Sequence, residues 1–400
     1  MSAASLEVSA APAAQQPRWE DAGQVERVRE ALAALPPLID PASPNALRAA
    51  LAEVASGRAQ VVQAGDCAED PAECTARDVD RKAGLLHLLA GTMEAVTGRP
   101  VVRAGRIAGQ YAKPRSAHTE TVGGVELPVY RGHLVNGPEP DPEARRPDPR
   151  RLLAGYRAAN RVMANLATAP EVHTAPPVWT SHEALLLDYE LPMVRRDRHG
   201  NRVLTSTHWP WIGDRTARPD GAHVALLADV ANPVACKVGP RMTTAALLAL
   251  CARLDPGRTP GRLTLIARMG ADTVAEALPP LAEAVCAAGH PVVWLVDPMH
   301  GNTHTTADGR KTRLVETIVR EVRAFQEAVR AVGATPGGVH LETTPDAVAE
   351  CVDADGPRPG EDGSTTLCDP RLNPRQAASV VAAWQAPTLT DRVEGDTCRA

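Results

Sequence analysis

Four side chains able to bind a metal ion, Cys67, His300, Glu342 and Asp369, are spread through a chain of 400 residues. The first three stand at or just past the ends of short apolar runs, and Asp369 lies in the segment CDPRLNP. A thiolate, an imidazole and two carboxylates suit a divalent transition ion such as Mn²⁺, Co²⁺, Fe²⁺ or Zn²⁺, and mixed ligation does not select among them. Their spacing is not a metal signature. A cysteine after a strand is often a small buried hydrophobe, a histidine there can cap a loop, and the two acids can be solvated or salt-bridged. A second set is cationic: Arg106, Lys113, Arg115, Arg215, Lys237 and Arg268. The planar fork of arginine fits phosphate and carboxylate bidentately, and lysine adds a compact charge, so the set can grip an anionic substrate. Ion pairs with neighbouring acids are the alternative. Other chemistry is poorly supported. GRIAG at 105–109 lacks the remaining glycines of a dinucleotide fingerprint, SHEALLLDYE is not HExxH, and neither a P-loop nor a Gly-x-Ser-x-Gly elbow is present. Trp209 and Trp211 can wall a pocket, although core packing is the commoner role.

The elements that would position these residues can be read from periodicity. Residues 1–17 are rich in Ala, Ser, Gln and Pro without period and read as a disordered tail. Val25, Val28, Leu32 and Leu35 then repeat at helical spacing until Pro36-Pro37, and Ser43-Pro44 opens a second helix ended by Gly57, which makes 18–58 a helical extension. From residue 59 to 390, β-rich runs alternate with helical stretches, as βα units around a parallel sheet require. The runs are AQVVQAG, PVVRAGR, PPVWTSHE, RVLTSTH, PVACKVG, RLTLIARMG, PVVWLVD and GGVHLET, with helices expected at 75–97, 242–254, 272–288 and 314–332 and from Asn373-Pro374 through Trp384. Eight units predict an α/β fold, a (β/α)8 TIM barrel, with a tail at 391–400. Polar residues recur where the runs finish: Asp66-Cys67, Arg106, His182-Glu183, Lys237, Arg268, Asp297 with His300, and Glu342. In such a barrel those ends converge on one mouth. The loops 136–150 and 353–366 stand out by their proline and charge.

Bulk properties narrow the partners. A formal net charge of -5 with both signs interspersed disfavours nucleic acid and anionic membrane. No apolar run approaches the roughly 20 residues that span a bilayer, and the first residues lack the charged and apolar regions of a signal peptide, so a cytoplasmic protein is expected. The eight cysteines are scattered, which suits a reducing compartment.

Taken in order, QAGDCAE (63–69), GRIAGQYAKPRS (105–116), YRGHLVNG (130–137), TSHEALLLDYE (180–190), ANPVACKVGP (231–240), PGRLTLIARMG (260–270), DPMHGNTH (297–304), GGVHLETT (337–344) and CDPRLNP (368–374) resemble type II 3-deoxy-D-arabino-heptulosonate-7-phosphate (DAHP) synthases. The resemblance covers about residues 19 to 390. It implies metal ligation by Cys67, His300, Glu342 and Asp369, with manganese or cobalt among the candidate ions. It further implies a phosphoenolpyruvate site at Arg106, Glu183, Arg215, Lys237 and Arg268, with Asp214 beside it, and an aldose-phosphate end at Lys113, Pro114, Arg115 and Ser116. The implied reaction joins phosphoenolpyruvate to erythrose 4-phosphate at the head of the shikimate pathway. Lewis-acid help from the ion acts at the aldehyde, Arg106 holds substrate, and Glu183 with Lys237 handles the water that adds at C2. A homo-oligomer and a chorismate mutase partner are further expectations. Cys368, next to Asp369, is placed to pair with Cys67 in an oxidised, metal-free chain.

Two positions depart from the family pattern: His133 stands where an acid is usual, and Asp214 where Glu is usual. Those departures leave room for an imino or amino aldose phosphate, as in aminoDAHP synthases, and a catalytically silent binding homologue is a further alternative. The stretch between Tyr156 and Val178 is short for the family, without space for the helical pair linked to feedback inhibition, and is similar to short forms of secondary-metabolite clusters such as those of phenazine producers.

Overall fold

The structure, a computed structural model, describes residues 11–168, 176–307, 309–353 and 365–385. Eight parallel strands close into a barrel: β1 (Gln60–Gly65), β2 (Val101–Arg106), β3 (Val178–Glu183), β4 (Trp209–Ile212), β5 (Val234–Val238), β6 (Leu263–Ala267), β7 (Val293–Val296) and β8 (Pro336–Glu342), each beside its neighbours in sequence, with β8 against β1. The α/β barrel expected from the sequence is therefore the fold. Around it lie α1 (Ala22–Ala34), α2 (Ser43–Ala55), α3 (Ala76–Thr97), α4 (Arg150–Thr168), α5 (Ala222–Asp229), α6 (Thr244–Leu254), α7 (Val274–Ala287), α8 (Val315–Ala331) and α9 (Pro374–Ala382). Among the described residues no helix is long and apolar enough to cross a membrane.

The barrel interior is stratified. At the floor, Leu47, Leu51 and Val54 of α2 form one buried cluster with Val61, Ala104, Trp209, Ala235, Ile266, Val293 and Leu295. The apolar stripe of α2, at i, i+4 and i+7, is what lets one helix close that end. Above it comes a polar layer. Arginine can only donate, so Arg106 Nη1 gives its hydrogen to His340 Nε2 (3.0 Å), His340 Nδ1 in turn to Gln63 Oε1 (2.6 Å), and Gln63 Nε2 to Ser181 Oγ (2.7 Å), which donates to the Trp209 carbonyl. His340 must be neutral for this chain of bonds, and burial together with Lys237 and Arg106 does hold its pKa well below the usual histidine value. The top layer carries the charges. Register aligns Gly65 with both Arg106 and Glu342, and Gly65 has φ +148° with any added Cβ only 2.8 Å from the Arg106 carbonyl. Glycine alone lets β1 pass this close to Arg106.

Three sequence expectations need correction or completion. Strand RVLTSTH is not in the barrel: Arg202–Leu204 pairs antiparallel with Val194–Arg196 in a separate ribbon, and the fourth barrel strand is Trp209–Ile212. Its β-branched pattern signals a real strand in another sheet, while Pro210 masks the true one. Helices α4 and α5 were not anticipated. Residues 11–17, expected as part of a disordered tail, lie against the barrel, with the Pro12 carbonyl accepting from Ala222 N at 3.0 Å. Residues 1–10, the 391–400 tail and most of the 353–366 loop fall outside the described residues.

Candidate active site

The carboxyl ends of the strands do meet at one mouth, around a cavity of about 370 Å³. Three of the four suspected ligands come together at its edge: single donor atoms of Cys67, Glu342 and Asp369 all lie within 4.8 Å of one another, and Asp369 and His300 line the cavity itself. His300 adjoins them, its Nε2 lying 3.2 Å from Glu342 Oε1. Its other nitrogen, Nδ1, is 2.7 Å from Asp297 Oδ2, which fixes the ring so that Nε2 faces the cluster. Cys67 comes from the loop after β1, His300 from the loop after β7, and Glu342 from the end of β8.

The charges around this group explain its protonation. Burial alone would raise the Glu342 pKa, but His300, Lys113, Arg313 and Arg106 outweigh it and hold the carboxyl well below the usual carboxylate range. Arg313 Nη1 is 2.9 Å from its Oε2 and Arg106 Nη2 is 3.1 Å from its Oε1. Lys113 Nζ stands between two acids, 3.5 Å from Glu342 and 3.4 Å from Asp369. Asp369 is likewise depressed against its burial, by Lys113 above all. The Cys67 thiol is lowered despite burial because the Cys368 thiol bonds to it and Lys113 is near, while Cys368 is raised. Cys67 and Cys368 are both free thiols here. A cysteine sulfur, two carboxylates held below the usual range and an imidazole oriented by Asp297 face one another beside Lys113, Arg106 and Arg313. That donor set fits a divalent transition ion.

The cationic residues form the other wall. Arg106, Lys113, Pro114, Arg115, Ser116, Glu183, Asp214, Arg215, Lys237 and Arg268 all line the cavity. Lys237 Nζ bonds Asp297 Oδ2 at 2.7 Å, and its pKa is nonetheless lowered, because burial prevails. Arg268 reaches Asp214 Oδ2 at 3.1 Å, and Arg215 Nη2 donates to Ser116 Oγ at 2.7 Å. His133 does not line the cavity: its Nδ1 pairs with the Tyr130 hydroxyl at 2.7 Å, so the departure there lies away from the wall, whereas Asp214 is on it. Glu183 is peculiar. Its Oε1 is sealed from solvent without a hydrogen-bond partner, and burial raises its pKa against the opposing pull of Lys237.

Two buried acids set the loops that carry these groups. Glu69 accepts from the backbone nitrogens of Ala108, Gly109 and Gln110, ahead of Lys113. Glu321 on α8 accepts from Met269 N and Gly270 N, beside Arg268, and from Asn302, and burial pushes its pKa up to about 7. Reading the sequence missed Arg313, Lys311 and Gln110 as wall residues. Arg313 and Lys311 reach the site from a hairpin pairing His304–Thr305 with Lys311–Thr312, and no strand-end pattern marks them. Gln110 sits in the GRIAGQ segment, where its side chain accepts from Glu183 N at 2.9 Å.

Residues 4–176 and 164–384 match the model of the class-II DAHP synthetase family. The chain belongs to that family. A probable phospho-2-dehydro-3-deoxyheptonate aldolase from Pseudomonas fluorescens is 56% identical over 380 residues, covering 94% of this chain and 95% of its own. A phospho-2-dehydro-3-deoxyheptonate aldolase from Streptomyces coelicolor is 39% identical, covering 92% and 93%. A solved phospho-2-dehydro-3-deoxyheptonate aldolase from Francisella tularensis aligns at a TM-score of 0.51 with 14% identity, over 91% of this chain and 97% of that one. That last likeness concerns the fold alone. Membership of the class-II DAHP synthetase family agrees with the resemblance read from the nine sequence segments.

Proposed function

We propose that the mouth cavity of this class-II DAHP synthetase family member carries the DAHP synthase reaction, phosphoenolpyruvate and erythrose 4-phosphate with water giving DAHP and inorganic phosphate. One observation carries the assignment of the site: the cluster of Cys67, Glu342 and Asp369 adjoins, through Asp369 and through the bonds of Glu342 to Arg106 and Lys113, a cavity lined by Arg106, Lys113, Arg115, Arg215, Lys237 and Arg268. Two phosphates and a carboxylate need such a surplus of cations.

Cys67, His300, Glu342 and Asp369 would hold a divalent ion, with manganese or cobalt the proposed choice. A divalent ion bound there supplies Lewis-acid polarisation of the aldehyde. The chain's own groups do the rest. Arg106, Lys237, Arg215 and Arg268 bind the phosphate and carboxylate of phosphoenolpyruvate, and Lys113 to Ser116 bind the aldose phosphate, so that C3 of one meets the aldehyde carbon of the other. When the new carbon–carbon bond has formed, water adds at C2 and Glu183 takes its proton, a task suited to a carboxyl whose pKa is raised by burial. The C2–phosphate oxygen bond then breaks as the C2 hydroxyl gives its proton to the departing phosphate, leaving the ketone and inorganic phosphate, while the proton taken by Glu183 passes to the oxygen of the former aldehyde. Lys237, held by Asp297, steadies the substrate anion.

Metal-stripped protein given both substrates and one divalent ion at a time should release phosphate and a product of DAHP mass with Mn²⁺ or Co²⁺. It should release neither without an ion or without the aldose. A barrel that only binds a partner would release no phosphate under any condition.

Gly213 offers a sharper probe of Glu183. A Cβ added there would fall 2.1 Å from Glu183 Oε1. Gly213→Ala must push the carboxyl aside, and an ångström of misplacement is worth about 10²-fold in rate. Overpacking of this sort costs about 1–3 kcal/mol of stability. Steady-state kinetics with a melting curve should therefore show a folded protein with turnover down on the order of 10²-fold.

A further inference from the structure

We propose that residues 11–17 form a strap across the barrel mouth that positions the aldose-phosphate end of the cavity, with Gln15 and Gln16 as positioning residues. The strap ties three successive loops together. The Pro12 carbonyl accepts from Ala222 N, at the start of α5 beyond β4, at 3.0 Å. Gln15 Oε1 accepts from Arg115 N at 2.9 Å, and the Gln15 carbonyl accepts from Arg131 Nη2 at 2.6 Å, both in the loop after β2. The Gln16 amide pairs with the loop after β3 as a neighbouring strand would, giving a hydrogen to the Leu185 carbonyl at 2.8 Å and taking one from Leu187 N at 3.0 Å. Just past the strap, Trp19 Nε1 donates to Asp188 Oδ2 at 2.8 Å.

The connection to the site runs through Arg115. Its guanidinium lines the cavity and is held by Glu120 at 3.0 Å, while its own backbone nitrogen hangs on Gln15. Arg115 therefore has its head placed by the rim hairpin and its stem by the strap. Arg131 is the second link: its carbonyl accepts from Lys113 N at 2.9 Å, and its guanidinium ends on the Gln15 carbonyl. Both cations assigned to the aldose phosphate thus depend on one residue of the strap. On the phosphoenolpyruvate side, Arg106, Lys237 and Arg268 are held by Glu342, Asp297 and Asp214, while Arg215 reaches the aldose end through Ser116.

Gln15 also makes the strap breakable without touching the cavity. It has φ +62°, a left-handed conformation that glycine adopts freely and proline cannot. Gln15→Gly keeps the path of the backbone and removes only the amide; Gln15→Pro forbids the path. The inference rests on the proposed assignment of Lys113 to Ser116 to the aldose phosphate, so Arg115→Ala is measured alongside. In the metal-loaded full chain, Gln15→Pro should raise KM for erythrose 4-phosphate about tenfold, the worth of a charged hydrogen bond, with KM for phosphoenolpyruvate within about twofold. Gln15→Gly should give a smaller rise of the same KM. A rise of both KM values together, or of neither, would make the segment merely structural and overturn the proposal. If Arg115→Ala raises the aldose-phosphate KM and Gln15→Pro does not, the strap alone is refuted. Should Arg115→Ala leave that KM unchanged, the assignment of that end fails and the strap inference falls with it.

Discussion

Glu342→Gln is expected to lose the bound ion and, with it, turnover by on the order of 10³-fold, the kinetic equivalent of several kcal/mol of Lewis-acid assistance. The carboxylate has no exposure and is the meeting point of Arg106, Lys113, Arg313 and His300, at 3.1, 3.5, 2.9 and 3.2 Å. An amide keeps the shape and removes the charge, leaving four neighbours without their shared counter-ion. Breaking a buried pair in this way costs about 3–5 kcal/mol, so melting should also come earlier. Titration with Co²⁺, followed by the absorbance of the cobalt–thiolate bond, reads the ion directly and independently of activity. Unaltered cobalt binding with normal turnover would place the metal centre elsewhere.

The second large effect concerns Glu183. Glu183→Gln retains the main-chain bond from Glu183 N to Gln110 and should reduce kcat by about 10²–10⁴-fold, the usual worth of a general base. Its pH signature follows from the direction of the shift. Burial raises the carboxyl's pKa, more than Lys237 and the other cations lower it, so the proton is retained to higher pH than on an ordinary glutamate. The base form is depleted as pH falls through that raised value, and kcat/KM should show an acid limb above the normal carboxylate range. The glutamine variant should lack that limb. A pH–rate profile of the two proteins decides it, and undiminished turnover in the variant would remove Glu183 from the chemistry.

What could be read from the chain depended on whether a residue's role leaves a periodic trace. Seven of the barrel strands, such as VVWLV around β7, announce themselves by β-branched runs between turn residues, and α3 or α8 by their apolar spacing. The fourth strand, WPWI, offers four residues with a proline among them, while the nearby RVL is a better strand by composition and pairs outside the barrel. Helix α5, AHVALLAD, is apolar nearly all round and too short to show a period. At the site, strand-end residues such as Arg106, Lys237 and Glu342 were visible because barrel geometry sends strand ends to one place. Arg313 and Lys311 arrive by a hairpin, and Gln15 and Gln16 by a segment whose bonds are made by amides and carbonyls. Neither route has a sequence pattern, because its partners are chosen by the tertiary fold.

Closure of the barrel floor by α2 bears on how such proteins can be recombined. Leu47, Leu51 and Val54 belong to none of the eight βα repeats, yet they occupy the space beneath Trp209, Ile266 and Leu295. A chimera that exchanges half-barrels between relatives inherits its stopper from whichever parent donates the amino-terminal piece. Compatibility of that stopper with the foreign half, more than the seam between strands, should govern which hybrids mature into working proteins.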